Sequence, residues 1–161
     1  MYERIVVAVD GSELAERALA HAETLARALG APLHLVRVAD VARLHLGANE
    51  AALAYAAIGG ELEREEAAAG AYLEQTRTQV AARGHTATTE LRRGTAGPEL
   101  VASTGPRDLL VMASHGRHGA LRWLLGSVAE DVARRAKGPV LLVRAGPEPS
   151  PDGGAPTSPV G

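Results

Sequence analysis

The stretch ASHGRHGALRWLLGS, Ala113 to Ser127, holds glycine at 116, 119 and 126, two histidines, two arginines and no acid. The whole chain has 19 Asp and Glu against 17 Lys and Arg, so fifteen adjacent residues free of negative charge stand out. Three kinds of chemistry suit such a segment: a plain connection between a strand and a helix, a metal site, or a cradle for an anion such as phosphate. For the anion, Gly116 lets the backbone turn sharply and brings N–H groups close to a ligand. Gly126 and Ser127 stand at the start of a helix, where unpaired N–H groups and the helix dipole favour phosphate. The Ser127 hydroxyl adds a donor, Arg117 and Arg122 add charge, and the next acid is Glu130. Each residue also has a plainer use. Ser127 and Glu130 form an S-x-x-E capping box that a helix carries without any ligand. Gly116 and Gly119 serve turns, and Trp123, Leu124 and Leu125 suit packing. For a metal, His115 and His118 lie in a Gly-rich turn with no carboxylate nearby in sequence to complete a ligand set.

Asp10 is the second candidate. It ends an apolar run and is followed by Gly11-Ser12. It can accept hydrogen bonds from the sugar or base of a nucleotide or hold a metal-bound water, or it can cap the first helix, with Glu13 three residues on. Neither G-x-x-x-x-G-K-[ST] nor G-x-G-x-x-G occurs. No carboxylate pair, nucleophile elbow or Ser/His/Asp order points to covalent or acid–base catalysis.

The elements that must position these residues follow from periodicity. Arg4 to Val9 (RIVVAV) is the continuous apolar run of a strand covered on both faces. A helix follows, with Leu14, Ala18, Leu25 and Leu29 at helical spacing and a stop at Gly30. Pro32 opens the strand PLHLVRVAD. Ala42 to Gly60 reads as helix, loop or both, and as a segment beside the crevice it is a candidate lid. Glu61 to Arg83 reads as a helix packing through Leu62, Tyr72, Leu73, Thr76 and Val80. Thr86 to Leu91 is polar and β-prone, as suits an edge strand. Gly97 to Ser103 is a short helix with Pro98 in its first turn, Asp108 to Ala113 a buried strand, Ser127 to Gly138 a helix, and Pro139 to Arg144 the last strand. His21 and His85 read as surface histidines, and His34 and His45 have no visible partner. Residues 145–161, rich in Pro, Gly and Ser, lack a packing pattern and read as a disordered tail.

Strands alternating with helices predict a parallel sheet wrapped by helices, an α/β sandwich. In such sheets ligands bind beyond the carboxyl ends of the strands, where strand order reverses. That rule selects the turn after the first strand, DGS, and the turn after the fourth, ASHG.

Composition bounds the rest. The 161 residues suit one domain, and 46% are apolar. With no Phe, one Trp and three Tyr, the core must be Leu, Val, Ile and Ala. A net charge of −2 and 2% aromatics argue against nucleic acid as a partner, which calls for a basic stripe or stacking residues. The absence of Cys excludes disulfides and thiol chemistry. No run approaches the roughly 20 apolar residues that span a bilayer. MYERIVVAVDGS reads as a strand rather than a signal peptide, so a cytoplasmic location without membrane partners is expected.

VAVDGS, DLLVMASHGRHGALRWLLGSVAEDV and KGPVLLVR together resemble the universal stress protein family, over about Tyr2 to Arg144. The signature of that family's nucleotide-binding branch is G-x-x-G, nine residues, then G-S or G-T. Gly116, the nine residues 117–125, and Gly126-Ser127 fit it; Ala113 replaces its first glycine, and Ala8 stands where some nucleotide binders have Pro. The resemblance implies a Rossmann-like three-layer sandwich over residues 1–144 with a five-stranded parallel sheet of order 3-2-1-4-5. It implies ATP in the crevice, with Mg or Mn on the phosphates. Asp10 and Val38 would then border adenine and ribose, with Ala8, Met112 and Ala113 nearby, and Gly116, Arg117, Gly126, Ser127 and Val128 would hold ribose and phosphates. It further implies a homodimer through Pro139–Arg144 and a regulator of the stress response with at most slow ATP hydrolysis. A nucleotide-free interaction module of the same family, a slow phosphohydrolase and a nucleotide-metabolising enzyme sharing only the fold are the alternatives.

Overall fold

The computed structural model describes residues 1–39, 51–115 and 125–144, with only the backbone of 51–59 and 61. Its elements in chain order are β1 (Ile5–Ala8), α1 (Glu13–Leu29), β2 (Leu33–Ala39), α2 (Ala51–Ala82), β3 (Ala87–Arg93), α3 (Ala96–Ala102), β4 (Leu109–Ala113), α4 (Ser127–Arg135) and β5 (Val140–Val143). The sheet has five strands in the order β3-β2-β1-β4-β5, and every pairing is parallel. The order reverses between β1 and β4, and β3 and β5 are its edges.

Strand alternation divides the core. Ile5 and Val7 of β1, Leu33 and Leu35 of β2, and Leu109 and Val111 of β4 share one cluster with residues of α1 and α2. Val6, Val36, Leu110 and Met112 point to the other face and share a second cluster with Leu100 of α3 and Ala129 and Val132 of α4. The central strands are apolar on both faces because both faces are covered.

The structure corrects several local readings. The buried stripe of α1 is Ala15, Ala18, Leu19, Ala22 and Ala26; Leu14 and Leu25 pack only at its border, and Leu29 is exposed. Small alanines let the helix sit close over the sheet. The second helix begins at Ala51 rather than Glu61, because the alanine-rich run before Glu61 has high helix propensity and Gly59-Gly60 does not end it. Residues 42–50 of the candidate lid lie outside the described residues, as does the tail at 145–161. His34 has partners, distant in sequence: Nδ1 lies 2.8 Å from Thr88 Oγ1 and Nε2 2.9 Å from Glu90 Oε2, an arrangement produced by the β2–β3 register.

Candidate functional site at the switch point

The sharp turn after β1 needs Gly11, whose φ of 78° is left-handed. Asp10 Oδ1 accepts a hydrogen bond from the Ser12 N–H at 2.9 Å. Ser12, not Asp10, caps α1: its hydroxyl accepts from the Ala15 N–H at 3.2 Å. Asp10 therefore stands one turn before the helix, at the carboxyl end of the sheet.

On the other side of the reversal β4 ends at Ala113. The Ser114 N–H donates to the Val143 carbonyl at 2.8 Å and its own carbonyl accepts from the Gly126 N–H at 2.9 Å. That bond ties the start of α4 to the end of β4. Gly126 is the N-cap, in extended conformation and without a capping side chain, so the expected Ser127–Glu130 capping box is absent. The reason is register: Ser127 is the first residue of the helix, one position past the cap. At Gly126 itself a Cβ would lie 3.0 Å from the Ser114 carbonyl oxygen and 3.4 Å from His115 Cα, so a side chain there would force its neighbours to give way. Glu130 instead accepts from Arg134 at 2.7 Å. The Gly126 N–H is already bonded. The N–H groups of Ser127, Val128 and Ala129 have their i−4 carbonyls outside the helix and no backbone partner among the described residues.

Between these two turns lies a cavity of about 380 Å³, within the range of small-molecule sites. Of the predicted site residues, Ala8, Asp10, Val38, Met112, Ala113, Gly126, Ser127 and Val128 all line it. Gly116 and Arg117 lie outside the described residues. Ala113 is the last residue of β4 and has no positive φ, so the methyl group that replaces the motif glycine costs no backbone strain; it borders the cavity. Its lining is apolar at the buried Val36, Leu100 and Ala129 and polar at Asp10, Ser114, His115 and Ser127. Val36, Ala96, Leu100, Ser114 and Ala129 were not singled out from the sequence. Alternation along β2 and β4 could have indicated Val36 and Ser114, but the α3 wall depends on tertiary packing alone.

His115 was considered as a metal ligand. Its Nδ1 lies 3.0 Å from Ser114 Oγ, and its buried Nε2 has no hydrogen-bond partner among the described residues. No group of three or more His, Asp or Glu side chains among the described residues could hold a metal ion; His118 lies outside them.

A parallel, doubly covered sheet with a mostly apolar cavity at its order reversal, faced by a helix start that has no side-chain cap, defines the Rossmann-like class of α/β proteins. The sequence profile of the universal stress protein family matches residues 1–144, and the chain belongs to that family. It is 32% identical over 146 residues to the universal stress protein MJ0531 of Methanocaldococcus jannaschii, covering 89% of this chain and 83% of that protein. The solved structure of the hypothetical protein MJ0577 matches with a TM-score of 0.75 at 26% identity, over 89% of this chain and 96% of the other. A universal stress protein solved in complex with cAMP matches with a TM-score of 0.61 at 29% identity, over 90% and 99%. Among the described residues no helix is long and apolar enough to cross a membrane.

Proposed function

We propose that the chain binds an adenine nucleotide, ATP foremost, in the switch-point cavity and acts in the cytoplasm as a nucleotide-responsive regulator of the stress response. The observation that carries this reading is the end of α4. Gly126 is packed so closely against Ser114 that a side chain there would force its neighbours to give way, and Ser127, Val128 and Ala129, whose N–H groups head the helix, line the cavity together with Asp10. An anion there meets the positive end of a helix dipole. The apolar lining of Val36, Leu100 and Met112 suits a purine ring, and the cAMP complex of a 29% identical relative supports an adenine nucleotide as the ligand class.

In this reading Asp10 and Val38 border adenine and ribose, with Ala8, Met112 and Ala113 alongside. Gly126, Ser127 and Val128, with Gly116 and Arg117, hold ribose and phosphates. Mg or Mn would be carried on the phosphates, since the described side chains offer no ligand cluster of their own. Residues 1–144 are the working domain, and two copies associate through the β5 edge. Among the described residues no carboxylate backs the Ser114–His115 pair, whose Nε2 has no partner, which favours signalling by occupancy over turnover, with ATP hydrolysis slow at most.

The test is a titration of MgATP and cyclic AMP into the wild type and into Gly126→Val/Ser127→Leu. The wild type should bind at one site per chain and the double variant, still folded by circular dichroism, should not. Equal affinity in both would remove the site assignment. A wild type that binds neither nucleotide would favour the nucleotide-free interaction module.

A further inference from the structure

The α3 wall of the cavity raises a separate question. α3 has seven residues and no side-chain cap, too short to hold itself together in water. It nonetheless contributes Ala96 and Leu100 to the cavity, so contacts outside the helix must place it. Its C-terminal end is held where Arg4 donates to the Ser103 carbonyl at 3.1 Å. Its first turns are held by Glu99. Arg92 of β3 donates from Nε to Glu99 Oε2 at 2.8 Å and from its NH1 nitrogen to Glu90 Oε1 at 2.6 Å. His34 lies against the other oxygen of Glu90 at 2.9 Å. Arg92 pairs in register with Val38, which lines the cavity.

We propose that Arg92 is a positioning residue of the cavity: held between Glu90 of β3 and Glu99 of α3, it fixes the distance of the α3 wall from the sheet. One planar guanidinium serving two carboxylates is a fork that a lysine cannot reproduce. The pair is sheltered as well, with Arg92 26% and Glu99 28% exposed. Burial pushes the Glu90 carboxyl up, but the hydrogen bonds from His34 and Arg92 and the Arg92 charge outweigh it and hold it below its ordinary value. The same contacts, to Glu99 first and Glu90 second, hold the Arg92 guanidinium above its own. Glu90 and Arg92 are therefore both charged throughout the neutral range. The effect on ligand binding rests on the nucleotide reading above; the placement of α3 does not.

The experiment compares wild type, Arg92→Gln, Arg92→Lys, Glu99→Gln and the control Glu23→Gln. Glu23 also loses an arginine partner, Arg83, but on the α1–α2 face. In the ligand-free proteins, Arg92→Gln and Glu99→Gln should shift the NMR methyl signals of Val38 and Leu100 and speed amide exchange over α3, while Leu19 and Val80 keep their shifts. Affinity for MgATP and cyclic AMP should fall about two- to fivefold, the range of a partly sheltered ion pair, and Arg92→Lys should fall between. Glu23→Gln should do none of this. Unchanged Val38 and Leu100 signals in both Arg92→Gln and Glu99→Gln, or equal changes in Glu23→Gln, would overturn the proposal. If the wild type binds neither probe, the nucleotide reading fails while the ligand-free spectra still decide the role of Arg92. If Arg92→Gln does not fold, Glu99→Gln cuts the same link from the α3 side.

Discussion

Gly126→Ala is the smallest change that probes the junction between β4 and α4. The backbone at Gly126 is extended, with φ −66° and ψ 151°, so alanine introduces no torsional penalty. What it introduces is a methyl group 3.0 Å from the Ser114 carbonyl oxygen and 3.4 Å from His115 Cα. Both neighbours are backbone, and Ser114 is itself fixed through the Val143 carbonyl, so α4 is the part that moves. The shift stretches the 2.9 Å bond from Gly126 to Ser114. Overpacking costs about 1–3 kcal/mol and a weakened hydrogen bond up to about 1 kcal/mol, so a loss of about 2 kcal/mol is expected. For a chain of this size that lowers the melting temperature by about 4–8 °C. The N–H groups of Ser127, Val128 and Ala129 move with the helix, and nucleotide affinity should fall about tenfold, or about 1.4 kcal/mol. Gly138→Ala separates stability from site geometry. Its Cβ would lie 2.7 Å from the Asp108 carbonyl oxygen and 2.9 Å from that of Gly105, at the opposite end of the sheet. It should destabilise at least as much and leave affinity unchanged. Thermal melts and isothermal titration of both variants decide the matter: wild-type behaviour of Gly126→Ala, or equal affinity losses in the two, would refute the reasoning.

Tyr72 is pushed up to about 12 by burial, reinforced by its hydrogen bond to Glu16; because its folded value exceeds the unfolded one near 10, the stabilisation is complete below pH 10 and lost as pH rises through 12. Screened by partial exposure, it amounts to about 1 kcal/mol, so the advantage of the wild type over Tyr72→Phe in urea unfolding should shrink between pH 9 and pH 12. Glu90 is held low, so its stabilisation is present at neutral pH and lost as pH falls below the ordinary carboxylate range. Glu90→Gln should therefore be less stable than wild type at pH 7, with the gap narrowing in urea titrations toward pH 3. Leu141, exposed on the edge strand β5, is a test of association: Leu141→Arg should sediment as a monomer where the wild type sediments as a dimer.

The parts of the fold that could be read from sequence are those governed by local pattern. RIVVAV and DLLVMA are continuous apolar runs, and both are central strands; TATTEL is polar, and it lies in an edge strand. The residues flanking the order reversal were legible for the same reason, since a strand followed at once by glycine or serine marks a turn at the sheet's carboxyl end. What escaped were features set by contacts across the fold. Ser12 takes the cap that the spacing to Glu13 offered to Asp10, because Gly11 turns the chain between them. Gly126 supplants Ser127 as cap because its bond to the Ser114 carbonyl sets the helix start one residue earlier than the spacing suggests. The alanine face of α1 lost out to its leucines in the sequence because apolar spacing does not reveal how closely a helix approaches a sheet. The partners of His34 arise from β2–β3 pairing, with Thr88 and Glu90 54 and 56 positions away, beyond any local signal; the Arg92 fork joins residues only two and seven positions away, but it forms only because the chain folds back after β3 to bring α3 over it.

The most direct test of the account is an isothermal titration of MgATP into the purified wild-type chain after any co-purifying nucleotide has been removed. Saturable binding near one nucleotide per chain, competed by cyclic AMP and lost in Gly126→Val/Ser127→Leu, is the predicted result. No heat of binding and no ligand-induced change in melting temperature at millimolar MgATP, a binding free energy weaker than about −4 kcal/mol, would contradict it.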